Sequence, residues 1–408
     1  MRGAYGIAFG ASMLVTFFAT PLVRRVAARR GLLVPPGERS VHARPTANIG
    51  GVAMIVGLLV GLLVAWLSGD FIDVFQSPSA PIGVVGAAAV IFLVGLLDDV
   101  RKIDGVGVSA PAKLAGTVLA GGVLTLAGVS TVFFRVPFLG VFSLSPDLSS
   151  FVTILWVVGM ANALNIIDGL DGLAVGVTAI AAGSFFLYGL QLDDAGVLAT
   201  GSIGPLLAVI TFGICVGFLP WNFHPAKIMM GDSGALMLGL LMAASTIAVG
   251  GATDAEYSGQ SFFFFAPLFI PLVILGVPMI DTLFAIVRRA SRRAGVTTAD
   301  KEHLHHRLLR LGHGHRRSVL ILWTWTALLS ALVLIPTYTG RGNAVMPLAI
   351  LGLALLLFTV FHPGRRNGNA NRNGDADADE VVVRVDLADQ PDQQGPRGRR
   401  HVEAVDTP

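Results

Sequence analysis

Apolar runs of about twenty residues, separated by short polar stretches, recur along the chain as far as residue 362. Each is long enough to cross a hydrocarbon core of about 30 Å as a helix. The pattern predicts eleven spans, near 5–23, 49–68, 82–97, 112–128, 150–165, 172–190, 197–217, 233–250, 263–287, 318–336 and 344–362. The expected fold class is therefore all-α, a polytopic integral membrane protein. Arginines follow the first run rather than precede it, the wrong polarity for a cleaved signal peptide, so it reads as a retained span. Between residues 132 and 145 the segment VFFRVPFLGVFSLS alternates weakly, which fits a short hairpin or a stretch lying on the membrane surface. Beyond Pro363 the chain turns to Arg, Asn, Gly, Asp and Gln with little to bury. Two parts are expected, a membrane-embedded domain over 1–362 and a disordered cytoplasmic tail over 363–408.

Composition agrees, with 53% hydrophobic and 13% charged residues against roughly 25% charged in soluble domains. The single cysteine, Cys215, lies in an apolar run and excludes an internal disulfide or a cysteine metal cluster. Lysine and arginine set the orientation, because they collect on the cytoplasmic side. With the N-terminus outside, nineteen fall in inside loops and three, Arg2, Arg135 and Arg341, outside. The prediction is N-out and C-in. The five loops richest in polar residues, 42–51, 98–113, 162–172, 219–236 and 288–317, then share the cytoplasmic face. Such convergence describes a site supplied from the cytosol.

In LPWNFHPAKIMMGDSGAL, residues 219–236, Asn222, His224, Lys227 and Asp232 interrupt two apolar segments. Irregular backbone at a membrane edge is tolerated where it lines a wet cavity. Gly231 and Gly234 let backbone approach a ligand, and the following helix offers free N–H groups to an anion. Asp98 and Asp99 end the third span before Arg101 and Lys102. Adjacent helical side chains point about 100° apart, so the pair is expected to do two jobs. Lys113 opens the next span, a cation placed for phosphate. In NALNIIDGLDGLA, Asn162 and Asn165, then Asp168 and Asp171, recur every three residues, which stacks each pair on one helical face. The run DKEHLHHRLLRLGHGHRR holds five histidines among arginines, and no acid or cysteine completes a tetrahedral zinc set at the usual spacing. Imidazole with guanidinium suits phosphate oxygens instead. Asp281 lies near Arg288 and reads as a supporting residue. Carboxylates facing lysines, histidines and arginines point to Mg²⁺ held with a polyphosphate, and to phosphoryl transfer at a membrane face. The rival class is a transporter, which predicts ionisable groups near mid-membrane and two related halves; the charges here gather at one face and no repeat is visible.

HARPTANIGG, LLDDVRKID, NALNIIDGLDGLA, FLPWNFHPAKIMMGDSGALMLG and DKEHLHHRLLRLG, in that order over 42–312, resemble the polyprenyl-phosphate N-acetylhexosamine-1-phosphate transferases. The HLHH form resembles the branch using UDP-GlcNAc; the phospho-MurNAc-pentapeptide branch usually has three consecutive histidines there. The resemblance implies a transferase joining a cytosolic UDP-sugar to polyprenyl phosphate, with Mg²⁺ as cofactor and Mn²⁺ able to substitute. It implies Asp98 and Asp232 at the metal, and Asp98, Asp99, Asp168 and Asp171 in the catalytic set. Asp171 and Asn222 would hold uridine, with Asn165 and Asp168 as neighbours and Lys113 on phosphate. His303, His305, His306 and Arg307 would bind sugar and pyrophosphate. His42 and Arg44 carry the resemblance least, because Ala47 and Asn48 depart from the usual form between Pro-Thr and Gly-Gly. The implied partners are the UDP-sugar, the lipid phosphate and the membrane, with no nucleic acid; a homodimer is compatible with them.

Overall fold

The computed structural model describes residues 2–34, 45–136, 140–250, 308, 313–340 and 345–361. The expected span at 263–287, Asp281, His42, Arg44, His303, His305, His306, Arg307 and the tail lie outside the described residues. Helices follow the apolar runs as α1 (Arg2–Arg29), α2 (Gly51–Ser68), the short α3 (Ile72–Gln76), α4 (Ser79–Arg101) and α5 (Ala110–Leu126). After them come α6 (Pro146–Ile167), α7 (Leu173–Asp194), α8 (Gly204–Asn222), α9 (Gly231–Gly250), α10 (His315–Thr339) and α11 (Val345–Phe361). Eight are long and apolar enough to cross a membrane, and α5 and α11 are shorter apolar helices.

The chain is a helical, multi-pass membrane protein, with one departure from the all-α expectation among the described residues. Phe133–Val136 and Gly140–Ser143 pair antiparallel as β1 and β2, with Phe133 opposite Ser143. The weak alternation there is long enough for a hairpin and too short for a span. Local chemistry sets the helix limits. α1 runs past its apolar run to Arg29, a cation in the last turn, where it suits the helix C-terminus. Pro205, in the first turn of α8, starts that helix seven residues later than the apolar run beginning near 197, after a turn at Gly201 with φ +74°.

α9 is the central element, with 94% of its apolar window buried, against 22% for α1 at the periphery. It packs against α4, α6 and α8; α7 lies against α8 and α10, and α1 against α2 and α8. Small residues permit this. A Cβ on Gly239 would meet the backbone of Met160 and Ala161, and one on Gly217 the backbone of Met13. Close backbone approach is what drives helix association where burial from lipid gives little. Phe18, Trp66, Leu67, Ile82, Leu93, Leu119, Phe151 and Leu155 remain exposed as the lipid-facing surface.

Candidate active site at the basic ends of the helices

One end of the bundle gathers the C-terminal ends of α4, α6 and α8 with the N-terminal ends of α2, α5, α7, α9 and α10. The opposite end carries the Arg2–Asp194 ion pair, at 2.6 Å, and the Tyr338 hydroxyl donating to the Leu187 carbonyl. No acidic cluster of metal-binding size occurs there among the described residues.

Asp98 and Asp99, adjacent in the last turn of α4, are both fully buried. They face different partners, as their angular separation predicts. Asp98 Oδ1 accepts the Val108 backbone N–H at 2.6 Å, which folds the glycine-containing loop 105–109 back toward the start of α5. Its Oδ2 meets Lys102 Nζ at 2.7 Å and Lys113 Nζ at 3.3 Å. The same two ammonium groups reach Asp232, Lys102 at Oδ1 (2.7 Å) and Lys113 at Oδ2 (2.9 Å). Two carboxylates from separate helices are thus bridged by two lysines. Burial alone would lower the Lys102 pKa, but the Asp232 and Asp98 charges outweigh it and hold the ammonium above its ordinary value.

Asp99 faces the other way. Its Oδ1 accepts from Asn48 Nδ2 at 3.1 Å and from the Asp232 backbone N–H at 2.8 Å. Its Oδ2 accepts from the Ser233 N–H at 2.9 Å and the Ser233 hydroxyl at 2.7 Å. The free N–H groups expected to bind a ligand anion at the start of α9 are therefore taken by an internal carboxylate. Gly231, at φ +70°, is required here twice: the backbone angle disfavours a side chain, and a Cβ would strike Asp99 Oδ2 and the Asn48 carbonyl.

The 162–174 stretch departs from the expected helical face. α6 stops at Ile167, Asp168 caps it, and Asp171 sits in the turn before Gly172, whose φ is +77°. α6 ends before Gly169, and Gly172, in the left-handed region, opens α7, so the aspartates diverge. Burial first, then the charges of Asp232 and Asp99, hold the Asp168 carboxyl well above its ordinary range, with Lys102 opposing them. Among the described residues nothing donates to its buried Oδ1. Asp171 instead accepts from the Ala226 N–H at 3.0 Å and pairs with His224 Nδ1 at 2.8 Å. Asn165, half-buried in the last turn of α6, gives its carbonyl to the Asp168 N–H. Asn222 is buried and used internally: Oδ1 accepts the Gly172 N–H at 3.1 Å and Nδ2 donates to the Ile228 carbonyl at 3.0 Å. It ties the Asp171 turn to the loop before Asp232. Lys227 is exposed over the Trp221 ring, 5.1 Å from its centroid.

Asp98, Asp99 and Asp232 bring ligand oxygens within 4.8 Å of one another. Asp98 and Asp232, held by mobile-ended lysines, suit a hard divalent cation better than Asp99, whose oxygens each accept two hydrogen bonds. Three aspartates gathered there share two ammonium groups, which pair with Asp98 and Asp232, and a divalent cation answers that surplus of charge. Asp171, His224 and His315 also lie within 4.8 Å. The two rings stack, centroids 4.2 Å apart and planes 24° from parallel, so their in-plane lone pairs run alongside one another and do not converge as metal ligands must. His315, seen in sequence only as part of the histidine run, and Asn48, seen only as a departure from the usual form, thus enter the site through contacts that spacing does not encode.

These features describe a polytopic membrane enzyme with an acidic, lysine-bridged centre at one helix-bundle end, and residues 81–250 match the model for glycosyl transferase family 4. The chain belongs to that family. It is 36% identical over 353 residues, covering 85% of each chain, to the decaprenyl-phosphate N-acetylglucosaminephosphotransferase of Mycolicibacterium smegmatis. Similarity extends to the probable undecaprenyl-phosphate N-acetylglucosaminyl 1-phosphate transferase of Bacillus subtilis, 34% identical over 78% of this chain and 80% of that one. A phospho-N-acetylmuramoyl-pentapeptide-transferase of Desulforudis audaxviator is 31% identical over 81% of this chain and 96% of its own.

Proposed function

We propose that this protein transfers GlcNAc-1-phosphate from UDP-GlcNAc to a polyprenyl phosphate, giving polyprenyl-diphosphate-GlcNAc and UMP. The observation that carries the site assignment is the pair of lysines bridging Asp98 and Asp232, two cations beside two carboxylates that a phosphate could draw on. A lipid phosphate oxygen attacks the β-phosphorus of UDP-GlcNAc in line; the new P–O bond forms as the β-phosphorus to bridging-oxygen bond breaks, and UMP leaves with that oxygen. The second pKa of a phosphate monoester is about 6, so the nucleophile is already ionised and no strong base is required.

Asp98 and Asp232 would hold Mg²⁺, or Mn²⁺ in its place, and the ion supplies charge neutralisation across the pyrophosphate. Lys102 and Lys113 supply the rest from the protein, at the phosphate oxygens where charge accumulates. Asp171, oriented by His224, takes the uridine end; Asn222 shapes that pocket by fixing the Gly172 turn, and Asn165 and Asp168 line its border. Sugar and pyrophosphate binding is assigned to His303, His305, His306 and Arg307 on the motif resemblance alone. The lysine- and arginine-rich helix ends support an N-out, C-in topology with eleven spans and a cytoplasmic site. Residues 1–362 form the transferase domain, with 363–408 a tail outside it. The setting is a bacterial plasma membrane and the first membrane step of a surface glycopolymer.

UDP-MurNAc-pentapeptide is the second candidate donor, favoured by the similarity to pentapeptide transferases but at lower identity. Purified protein with a short polyprenyl phosphate and Mg²⁺ separates the two. UMP release that needs lipid, proceeds with UDP-GlcNAc and is lost in Asp232→Ala supports the proposal; release with the pentapeptide donor alone overturns the choice of sugar.

A further inference from the structure

We infer that Asp99 is a positioning residue, the fixed cap that sets the first turn of α9 and thereby places Asp232, with Asn48 as its second anchor. Asp99 is fully buried and its carboxylate accepts four hydrogen bonds, two at each oxygen, all from protein. A carboxylate oxygen has about two lone-pair positions. None is left at hydrogen-bonding geometry for a proton in flight or a metal ion. Two of the four donors are the backbone N–H groups of Asp232 and Ser233, which a helix leaves without intrahelical partners at its start. The carboxylate also meets the positive end of the helix dipole. Its neighbours admit no displacement: a Cβ on Gly95, one turn before Asp99, would touch the Ser233 backbone, and a Cβ on Gly51 would touch the Ser233 hydroxyl. Asn48 donates its amide to Asp99 and packs its carbonyl on Gly231. The loop ahead of α2 therefore takes part in placing a side chain on α9. Asp98, by contrast, spends its oxygens on one backbone N–H and two movable lysine ammoniums. The adjacent acids divide into one that can exchange partners and one that cannot.

The inference rests on the proposed transferase reaction for its rate readout only. Hydrogen–deuterium exchange of the peptide spanning residues 229–240 in the full chain in detergent reads the cap directly. Asp99→Asn, Ser233→Ala and Asn48→Ala are each expected to speed exchange at the start of α9, whereas Asp98→Asn leaves it unchanged. Loss of one hydrogen bond to a charged group predicts a fall in kcat on the order of tenfold for Ser233→Ala. Asp99→Asn should fall further, and the Asp99→Asn/Ser233→Ala pair no further than Asp99→Asn, because both remove one unit. The shape of the pH–rate profile is kept in Asp99→Asn. Exchange unchanged in Asp99→Asn, or wild-type rates in Ser233→Ala and Asn48→Ala beside an altered acid limb in Asp99→Asn, would overturn the inference. If wild-type protein releases no UMP, the reaction assignment fails and the exchange result alone decides on the cap.

Discussion

Replacing Lys113 by methionine separates two things that one ammonium group does. Its Nζ lies 2.9 Å from Asp232 Oδ2 and 3.3 Å from Asp98 Oδ2, with the side chain 27% exposed. The longer contact is weak, and Lys102 continues to neutralise both acids at 2.7 Å. The loss is therefore that of one charge-assisted hydrogen bond, about 1.5–3 kcal/mol where the bond is to a charged group. If that interaction is made to the pyrophosphate during reaction, kcat/KM for UDP-GlcNAc falls roughly 10- to 150-fold, at 1.4 kcal/mol per tenfold. Metal affinity should move the other way, because a competing cation has left the carboxylates. Titration of Mn²⁺ by electron paramagnetic resonance, without substrate, should show tighter binding than in wild type, while steady-state UMP release shows slower turnover. Weaker Mn²⁺ binding together with reduced kcat/KM would refute the reasoning, since Lys113 would then be building the metal site and not competing for it.

His224→Ala removes the partner that orients Asp171 and is expected to raise KM for the UDP-sugar about tenfold with little change in kcat, measured by initial rates across donor concentration. Gly239→Val should lower the melting temperature in detergent, since overpacking against the Ala161 backbone costs about 1–3 kcal/mol; an unchanged melting temperature would show that α6 and α9 do not meet as described. Asp168 has a folded-state pKa raised by burial and by Asp232 and Asp99. Stability from such a group is present below the unfolded value of about 3.9 and lost as pH rises through the folded value. Asp168→Asn should therefore stabilise the metal-free protein in EDTA at neutral pH and reduce turnover; equal melting temperatures in EDTA would contradict the electrostatic account.

Ten of the eleven expected spans coincide with described helices, because a length of about twenty apolar residues is itself the membrane's requirement. The convergence of Asp98, Lys113 and Asp232 was also readable, since polar residues at apolar helix ends have few other reasons to be there. What could not be read is the pairing between distant segments. Asp98 and Asp99 differ only in which neighbours they meet, and nothing in LLDDVRKID announces that the N–H groups of α9 will close on the second acid. The three-residue spacing of Asp168 and Asp171 suggested one helical face, yet α6 ends at Ile167 and α7 opens after Gly172, so Asp171 pairs with His224 and the Ala226 N–H while Asp168 is buried near Asp232 and Asp99. The resemblance assigns Asn222 to uridine, and no spacing in the sequence shows that its amide also bonds the Gly172 N–H and the Ile228 carbonyl. The polarity of a side chain was legible; whether its hydrogen bonds face inward depends on the tertiary packing.

The proposed reaction moves a phosphosugar, not a sugar alone, and the β-phosphate of the donor distinguishes the two. UDP-GlcNAc radiolabelled in that phosphate, incubated with the protein, Mg²⁺ and a short polyprenyl phosphate, should move label into the solvent-extractable lipid while unlabelled UMP appears in water. Label that stays in the aqueous phase as UDP while GlcNAc enters the lipid would contradict the account.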